Sequence, residues 1–172
     1  MRRTEHAILL GVSILLLAGC GKVDSRVVTL YGGEQTFAAL QSATTVEALR
    51  IDPKKYDEKL TDGEQGIAGY PITSEPVRLS AGQIKSLVAV LSNAGTYDFD
   101  IAKGCEFMPG VALRTTAGKH ELVILLCYSC NEIAIYVDGR RVGGEDIDNA
   151  RGPLVALAKQ LFPSDSEIQS LK

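Results

Sequence analysis

The chain is 172 residues long, with 18 basic and 21 acidic side chains and a formal net charge of −3. This length fits one domain that can bury a core without needing disulfide or metal staples. Because the sequence shows no basic patch or stripe, nucleic acid is excluded as an expected partner.

The first twenty residues have the pattern of a secretory signal peptide. Arg2 and Arg3 precede an apolar run from Ala7 to Leu17, and the segment ends in Leu17-Ala18-Gly19-Cys20. A charged start, an apolar run of about 7 to 15 residues and a small-residue cleavage site are typical of exported proteins. The run is too short for a membrane-spanning helix, which needs about 20 apolar residues.

The Leu17-Ala18-Gly19-Cys20 ending resembles the lipobox of bacterial lipoproteins. This resemblance implies that residues 1–19 are removed as a signal peptide and that Cys20 carries lipid, such as palmitate, on its sulfur. It also implies a periplasm-facing protein whose membrane partner is reached through that lipid. Because Gly21 and not aspartate follows Cys20, the family's sorting rule favours the outer membrane over the inner membrane.

The predicted order after the anchor is a short tether and a single domain. Residues 20–26 form the expected lipidated tether, and residues 27–172 form one α+β domain. Within the domain, Val27 to Tyr31 is expected to be a short strand. Residues 34–43 carry apolar side chains at helical spacing, and 46–51 mixes apolar and charged residues as a half-buried strand does.

The middle of the chain combines a long polar loop with a clear helix. Residues 52–69 are polar and predict an exposed loop. A short extended segment, 77–79, then leads to Ser80, which forms a capping-box pattern with Gln83. Apolar residues fall on one helix face after this cap: Ile84, Leu87, Val88 and Leu91.

The best core-forming segment follows this helix. Leu122 to Leu126 is an unbroken apolar run, which is typical of a strand that is buried on both faces. Together with residues 111–115 and 133–137 it predicts an antiparallel meander with a turn near Ala117-Gly118. Gly143-Gly144 is interpreted as a break after the third strand.

The C-terminal region predicts two helices. Pro153 suits the first turn of a helix, which Pro163 should end, and residues 164–167 have a second capping-box pattern. Strands grouped with helices predict a two-layer α+β fold, in which a mostly antiparallel sheet has helices packed on one face.

Three cysteines remain beyond Cys20, and they have the pattern C-x21-C-x2-C: Cys105, Cys127 and Cys130. If the hairpin turns at Ala117-Gly118, Cys105 lies opposite Cys130 and Cys127 is close by. Pro109 must perturb this register, because proline cannot donate to a central ladder. We still expect all three thiols to meet at one end of the sheet.

Four uses of these thiols remain open. A structural disulfide from Cys105 to Cys127 or Cys130 suits an oxidising compartment. Alternatively, all three thiols remain reduced as small buried hydrophobic groups. A metal site is a third use, since C-x2-C is a common half of a zinc site, although no fourth ligand is evident. A thiol–disulfide enzyme is the fourth, but no helix follows Cys130 to lower a thiol pKa.

Other catalytic patterns are weak in this sequence. Two acidic pairs, Asp98 with Asp100 and Asp146 with Asp148, lack the further oxygen ligands of a cation loop and are interpreted as solvated loop charge. We therefore expect no catalytic residue and no cofactor.

A second resemblance covers Cys105 to Leu171. It rests on C-x-F-x-P-G from Cys105, L-L-C-x-x-C ending at Cys130 and F-P-S-D from Phe162. These runs resemble exported bacterial proteins whose activity is uncharacterised, so the resemblance implies no activity.

The resulting hypothesis is a lipid-anchored, non-catalytic structural or interaction module of the cell envelope, with a possible envelope protein as partner. The alternative is a thiol-redox or metal-binding protein that uses Cys105, Cys127 and Cys130.

Overall fold

The computed structural model describes residues 23–101, 103–117 and 120–172. The signal peptide predicted at 1–19 and the lipidation predicted at Cys20 lie outside these ranges. None of the helices in these ranges combines the length and the apolar composition that a membrane span requires. The described helices are α1 (Ser25–Leu30), α2 (Glu34–Gln41), α3 (Ala81–Leu91), α4 (Arg151–Leu161) and α5 (Ser166–Ser170). The described strands are β1 (Glu47–Arg50), β2 (Gly66–Ile67), β3 (Tyr70–Pro71), β4 (Val77–Arg78), β5 (Val111–Ala117), β6 (His120–Cys127), β7 (Glu132–Val137) and β8 (Arg140–Asp146).

Six of these strands form one antiparallel sheet in the order β4-β1-β5-β6-β7-β8. The meander predicted from the sequence is β5-β6-β7, and β6 lies at its centre. All five helices place their buried side chains in one core cluster. The predicted α+β fold, with a mostly antiparallel sheet and helices on one face, is confirmed.

Strand β6 is buried on both faces, as its apolar run predicts. Side chains alternate across a strand, so Leu122, Ile124 and Leu126 pack under the helices. Val123 and Leu125 belong to a second cluster on the opposite face. This strand therefore connects the two halves of the core.

The polar segment 52–69 is not only the exposed loop that the sequence predicts, because its end also contributes to the core. Most of it is exposed, but Ile67 is buried in the second cluster, together with Tyr70 directly after the segment. They belong to the small hairpin β2-β3, whose turn is made by Ala68 and Gly69 with positive φ angles of 51° and 86°. Val123 and Leu125 lie on the sheet face that carries no helix. The hairpin covers this face and shields both side chains from water.

The segment predicted as a first strand, Val27 to Tyr31, lies mostly in helix α1, so that prediction is wrong. The Asp24 side chain accepts a backbone hydrogen bond and caps the helix, which begins at Ser25. Ser25 and Arg26, which the sequence assigns to the tether, lie in this helix. Adjacent valines favour a strand locally, but helical spacing decides because it buries three side chains on one face: Val27, Leu30 and Tyr31.

Gly143-Gly144 lies inside β8, so the predicted break is wrong as well. β8 pairs with β7 along its length, with one irregularity beside Ile135. A Cβ atom on Gly143 would collide with the backbone carbonyl oxygen of Leu30 at the end of α1. Glycine inside a strand often marks such a close backbone approach. Here it allows α1 to lie directly on the edge strand.

The remaining helices follow the predicted signals closely. Ser80 and Gln83 form a complete capping box at α3. α4 begins at Arg151 and carries Pro153 in its first turn. The short terminal helix is present, but Asp165, and not Ser164, accepts the capping hydrogen bond from the backbone N–H of Ile168.

Candidate functional site

The candidate site lies at the turn between β6 and β7, where the cysteines meet. β6 ends at Cys127 and β7 begins at Glu132, and these two residues pair across the ladder. The turn closes through Asn131, whose φ of 55° is a left-handed conformation that asparagine tolerates better than most residues. Arg151 donates to the Tyr128 carbonyl oxygen and to the Asn131 side chain, which ties the turn to α4.

Cys105 and Cys130 lie at disulfide distance, with their Cα atoms 6.2 Å apart. Of the two disulfide pairings that the sequence left open, the geometry favours Cys105 with Cys130. Cys127 is the free, buried cysteine of the group. The prediction that the three cysteines gather at one end of the sheet is confirmed in position.

The ladder register by itself does not produce this pairing. In the sheet, Val111 pairs with Leu126. If that register continued down the chain, Cys105 would lie opposite Glu132 and not opposite Cys130. The backbone must therefore leave the ladder between Val111 and Cys105.

The departure occurs at Pro109. The N–H of Gly110 still donates to the Leu126 carbonyl oxygen at 3.1 Å. Pro109 has no N–H to continue the ladder, and the N–H of Met108 donates instead to the Cys127 sulfur at 3.3 Å. The chain then crosses the turn and brings Cys105 to its partner.

The structure groups a different set of metal-ligating atoms from the one that the sequence suggested. The sulfur atoms of Cys105 and Cys130 and a carboxylate oxygen of Glu132 all lie within 4.8 Å of one another. Cys127 is not part of this group, and its sulfur lies 3.2 Å from the Ser129 hydroxyl. If the pair were reduced, two thiolates and a carboxylate would be ligands that Zn²⁺ accepts, but a closed site takes four. The site therefore favours a disulfide over a complete metal centre.

An ion cluster around the buried Asp146 lies beside the cysteine pair, and sequence reasoning missed it. The Lys103 ammonium is 2.6 Å from a carboxylate oxygen of Asp146 and 2.8 Å from one of Asp148. It also donates to the Cys130 carbonyl oxygen at 2.9 Å. Asp146 is buried, so its interpretation as solvated charge is wrong, whereas Asp148 remains exposed. A buried carboxylate needs a charged partner, and no local pattern points to a lysine so distant in sequence.

Protonation equilibria in this region follow from burial and pairing. Burial and the nearby Asp146 charge raise the pKa of Glu132. Burial opposes the charge of Lys103, but hydrogen bonds with Asp146 and Asp148 outweigh it and raise the pKa of that ammonium. The hydrogen bonds from Lys103 and Asn131 lower the pKa of Asp148. The directions of the pKa shifts of Lys103 and Asp148 therefore both favour the charged forms that pair with each other.

An open cleft of about 360 Å³ extends from this cluster along β8. Lys103, Glu132 and Asp146 line it together with Phe99 and Ile101. Charges of both signs and an apolar wall share this small space. The cleft holds no arrangement of a nucleophile with a general base among the residues that line it.

No protein-family model, curated protein or solved structure matches this chain, so its function must be inferred from its own sequence and geometry.

Proposed function

We propose that this protein is a lipid-anchored lipoprotein of the bacterial cell envelope that acts as a non-catalytic structural or interaction module. The observation that carries the proposal is Leu17-Ala18-Gly19-Cys20, which follows a charged start and a short apolar run. The proposed anchor is lipid on Cys20. Gly21 after it favours the outer membrane, with the domain facing the periplasm.

The start of the folded domain is compatible with this anchor. Asp24 caps α1, and Ser25 is its first residue. Only Gly21, Lys22 and Val23 separate Cys20 from this cap. Such a tether reaches little more than about 10 Å, so the lipid would hold α1 close to the bilayer.

The cysteines support the proposed compartment. Cys105 and Cys130 lie at disulfide distance, and disulfides persist in oxidising compartments such as the periplasm. A disulfide closing a loop of this length would stabilise the fold by roughly 3 kcal/mol in the chain-entropy model. The pair therefore has a structural use that requires no activity.

The anchor is tested by replacing Cys20 with alanine in cells that are labelled with radioactive palmitate. The Cys20→Ala protein should incorporate no label and should keep its signal peptide, because the lipidated sulfur is gone. Cys127→Ala is the matched control, since it also removes one thiol and should be labelled like the unmodified protein. Label retained by the Cys20→Ala protein would overturn the proposed anchor.

The second candidate function is thiol-redox or metal chemistry at the cysteines. The observation that favours it is the close grouping of the Cys105 and Cys130 sulfur atoms with Glu132. Lys103 lies alongside, bound to the Cys130 carbonyl oxygen. In this alternative, reduction of the pair would expose two thiols beside a carboxylate.

A thiol count separates the two candidates. Mass spectrometry of the lipoprotein extracted from membranes, with and without alkylation, should show one disulfide, one free thiol at Cys127 and no stoichiometric metal. Alkylation under native conditions should be slow, because Cys127 is buried. Alkylation of Cys105, Cys127 and Cys130 together with a bound zinc would favour the metal site. Three free thiols without metal would remove the support that the cysteines give to the proposed function, which would then rest on the anchor alone.

A further inference from the structure

Exposed apolar side chains are concentrated around α1. The described residues include five large hydrophobic side chains that are substantially exposed, and three of them border this helix or the edge strand beneath it. Val23 directly precedes the Asp24 cap and is 40% exposed, and Ile101 is 49% exposed. The five are Val23, Tyr56, Leu60, Ile101 and Val142.

Contacts with α1 and β8 place the three side chains in one region. The Arg26 guanidinium, in the first turn of α1, lies 4.6 Å from the centre of the Phe99 ring, two residues before Ile101. Phe99 and Ile101 line the cleft beside β8. At the other end of the helix, Val142 of β8 packs against Gly32. α1 has six residues and is about 9 Å long, so these contacts span a small surface.

We propose that this surface, the anchor-side patch of Val23, Phe99, Ile101 and Val142, rests on the lipid bilayer and orients the domain. The inference rests on the proposed lipid on Cys20. Because Cys20 is only three residues from Val23, the anchor would hold this edge of the patch within about 10 Å of the bilayer. Stable membrane attachment usually combines a lipid chain with a second contact, and the patch supplies an apolar one.

The charges around the patch define the lipid surface that it fits. Arg26 is paired with Asp24 at 2.8 Å, and Asp98 and Asp100 flank Phe99. Arg140 and Arg141 directly precede Val142, so charges of both signs balance around the patch and anionic lipid offers it no net attraction. The patch fits a zwitterionic bilayer surface, and its contact should depend little on ionic strength.

The chain contains no tryptophan, so a single introduced tryptophan reports its own environment. Ile101→Trp places the probe in the patch, and Leu60→Trp places it at an exposed apolar position in the segment 52–69. The lipoprotein is extracted from membranes and reconstituted in phosphatidylcholine vesicles with brominated acyl chains. Bromine quenching of Ile101→Trp should be at least about threefold stronger than that of Leu60→Trp, because an interfacial apolar contact enters about 5–10 Å into the lipid.

A third protein distinguishes insertion from simple nearness to the anchor. Adding Val23→Asp to Ile101→Trp leaves the tether length unchanged but places a charge in the patch, so quenching should fall to the Leu60→Trp level. Equal quenching of the two single variants, or quenching that Val23→Asp does not reduce, would overturn the patch while leaving the lipid anchor intact. The intact mass of the same samples reports the lipid. A mass without lipid on Cys20 would overturn the anchor and, with it, the patch.

Discussion

Replacing Ile124 with alanine should lower the free energy of unfolding by about 2–5 kcal/mol. Ile124 lies in the middle of β6, is 2% exposed and packs in the core cluster under the helices. β6 pairs on both sides, with Leu113 opposite Ile124 in β5 and Ile135 opposite it in β7. A cavity at this point cannot be filled by a small shift, because neighbours on two strands and in the helix layer are fixed by their own packing. Denaturant unfolding, followed by circular dichroism, measures the loss.

The matched control for this change is Thr116→Ala on the neighbouring strand. Thr116 is exposed, so its truncation removes little buried surface and should cost less than about 1 kcal/mol. If Ile124→Ala left the denaturant midpoint no lower than Thr116→Ala does, β6 would not be the centre of the core.

Replacing Lys103 with methionine should lower the free energy of unfolding by about 3 kcal/mol. The change keeps much of the side-chain volume but removes the ammonium that lies 2.6 Å from the Asp146 carboxylate. Asp146 is 3% exposed, so it would be left as a buried charge without its closest cationic partner. The Lys103→Met substitution would also remove the hydrogen bond that the Lys103 ammonium donates to the Cys130 carbonyl oxygen. The turn between β6 and β7 should therefore become less stable when the ion pair is lost.

Two further proteins show whether the effect comes from the unpaired carboxylate. Lys85→Met removes an exposed lysine of α3 and should change stability by no more than about 0.5 kcal/mol. Combining Lys103→Met with Asp146→Leu removes both charges, and it should recover part of the loss. A double variant that is no more stable than Lys103→Met would contradict this explanation.

Local signals in the sequence were sufficient where one element carried its own information. The cap and the apolar stripe of α3 are contained in residues 80–91, and the structure places both as predicted. The apolar run of β6 likewise requires burial on both faces wherever it lies. The meander and the two-layer fold follow from such segments, because an apolar strand beside amphipathic helices has few ways to avoid water.

Short or ambiguous elements were decided by packing. Val27 to Leu30 has the composition of a strand but is helical, since the sheet buries one face of α1. The Gly143-Gly144 pair by itself suggests the end of a strand. In the structure, the missing side chain of Gly143 allows the Leu30 carbonyl oxygen to approach β8. In both cases the deciding contact comes from a segment more than a hundred residues away along the chain.

The candidate site shows the same division. The sequence by itself determined that three cysteines would lie near one end of the meander, since two flank a turn and the third precedes the paired strand. Only the tertiary structure decided that Cys105 meets Cys130, because Pro109 interrupts the ladder and the chain crosses the turn. It also decided that Lys103 neutralises Asp146. Burial creates the need for such a partner, and burial is a property of the assembled fold that no local run of residues contains.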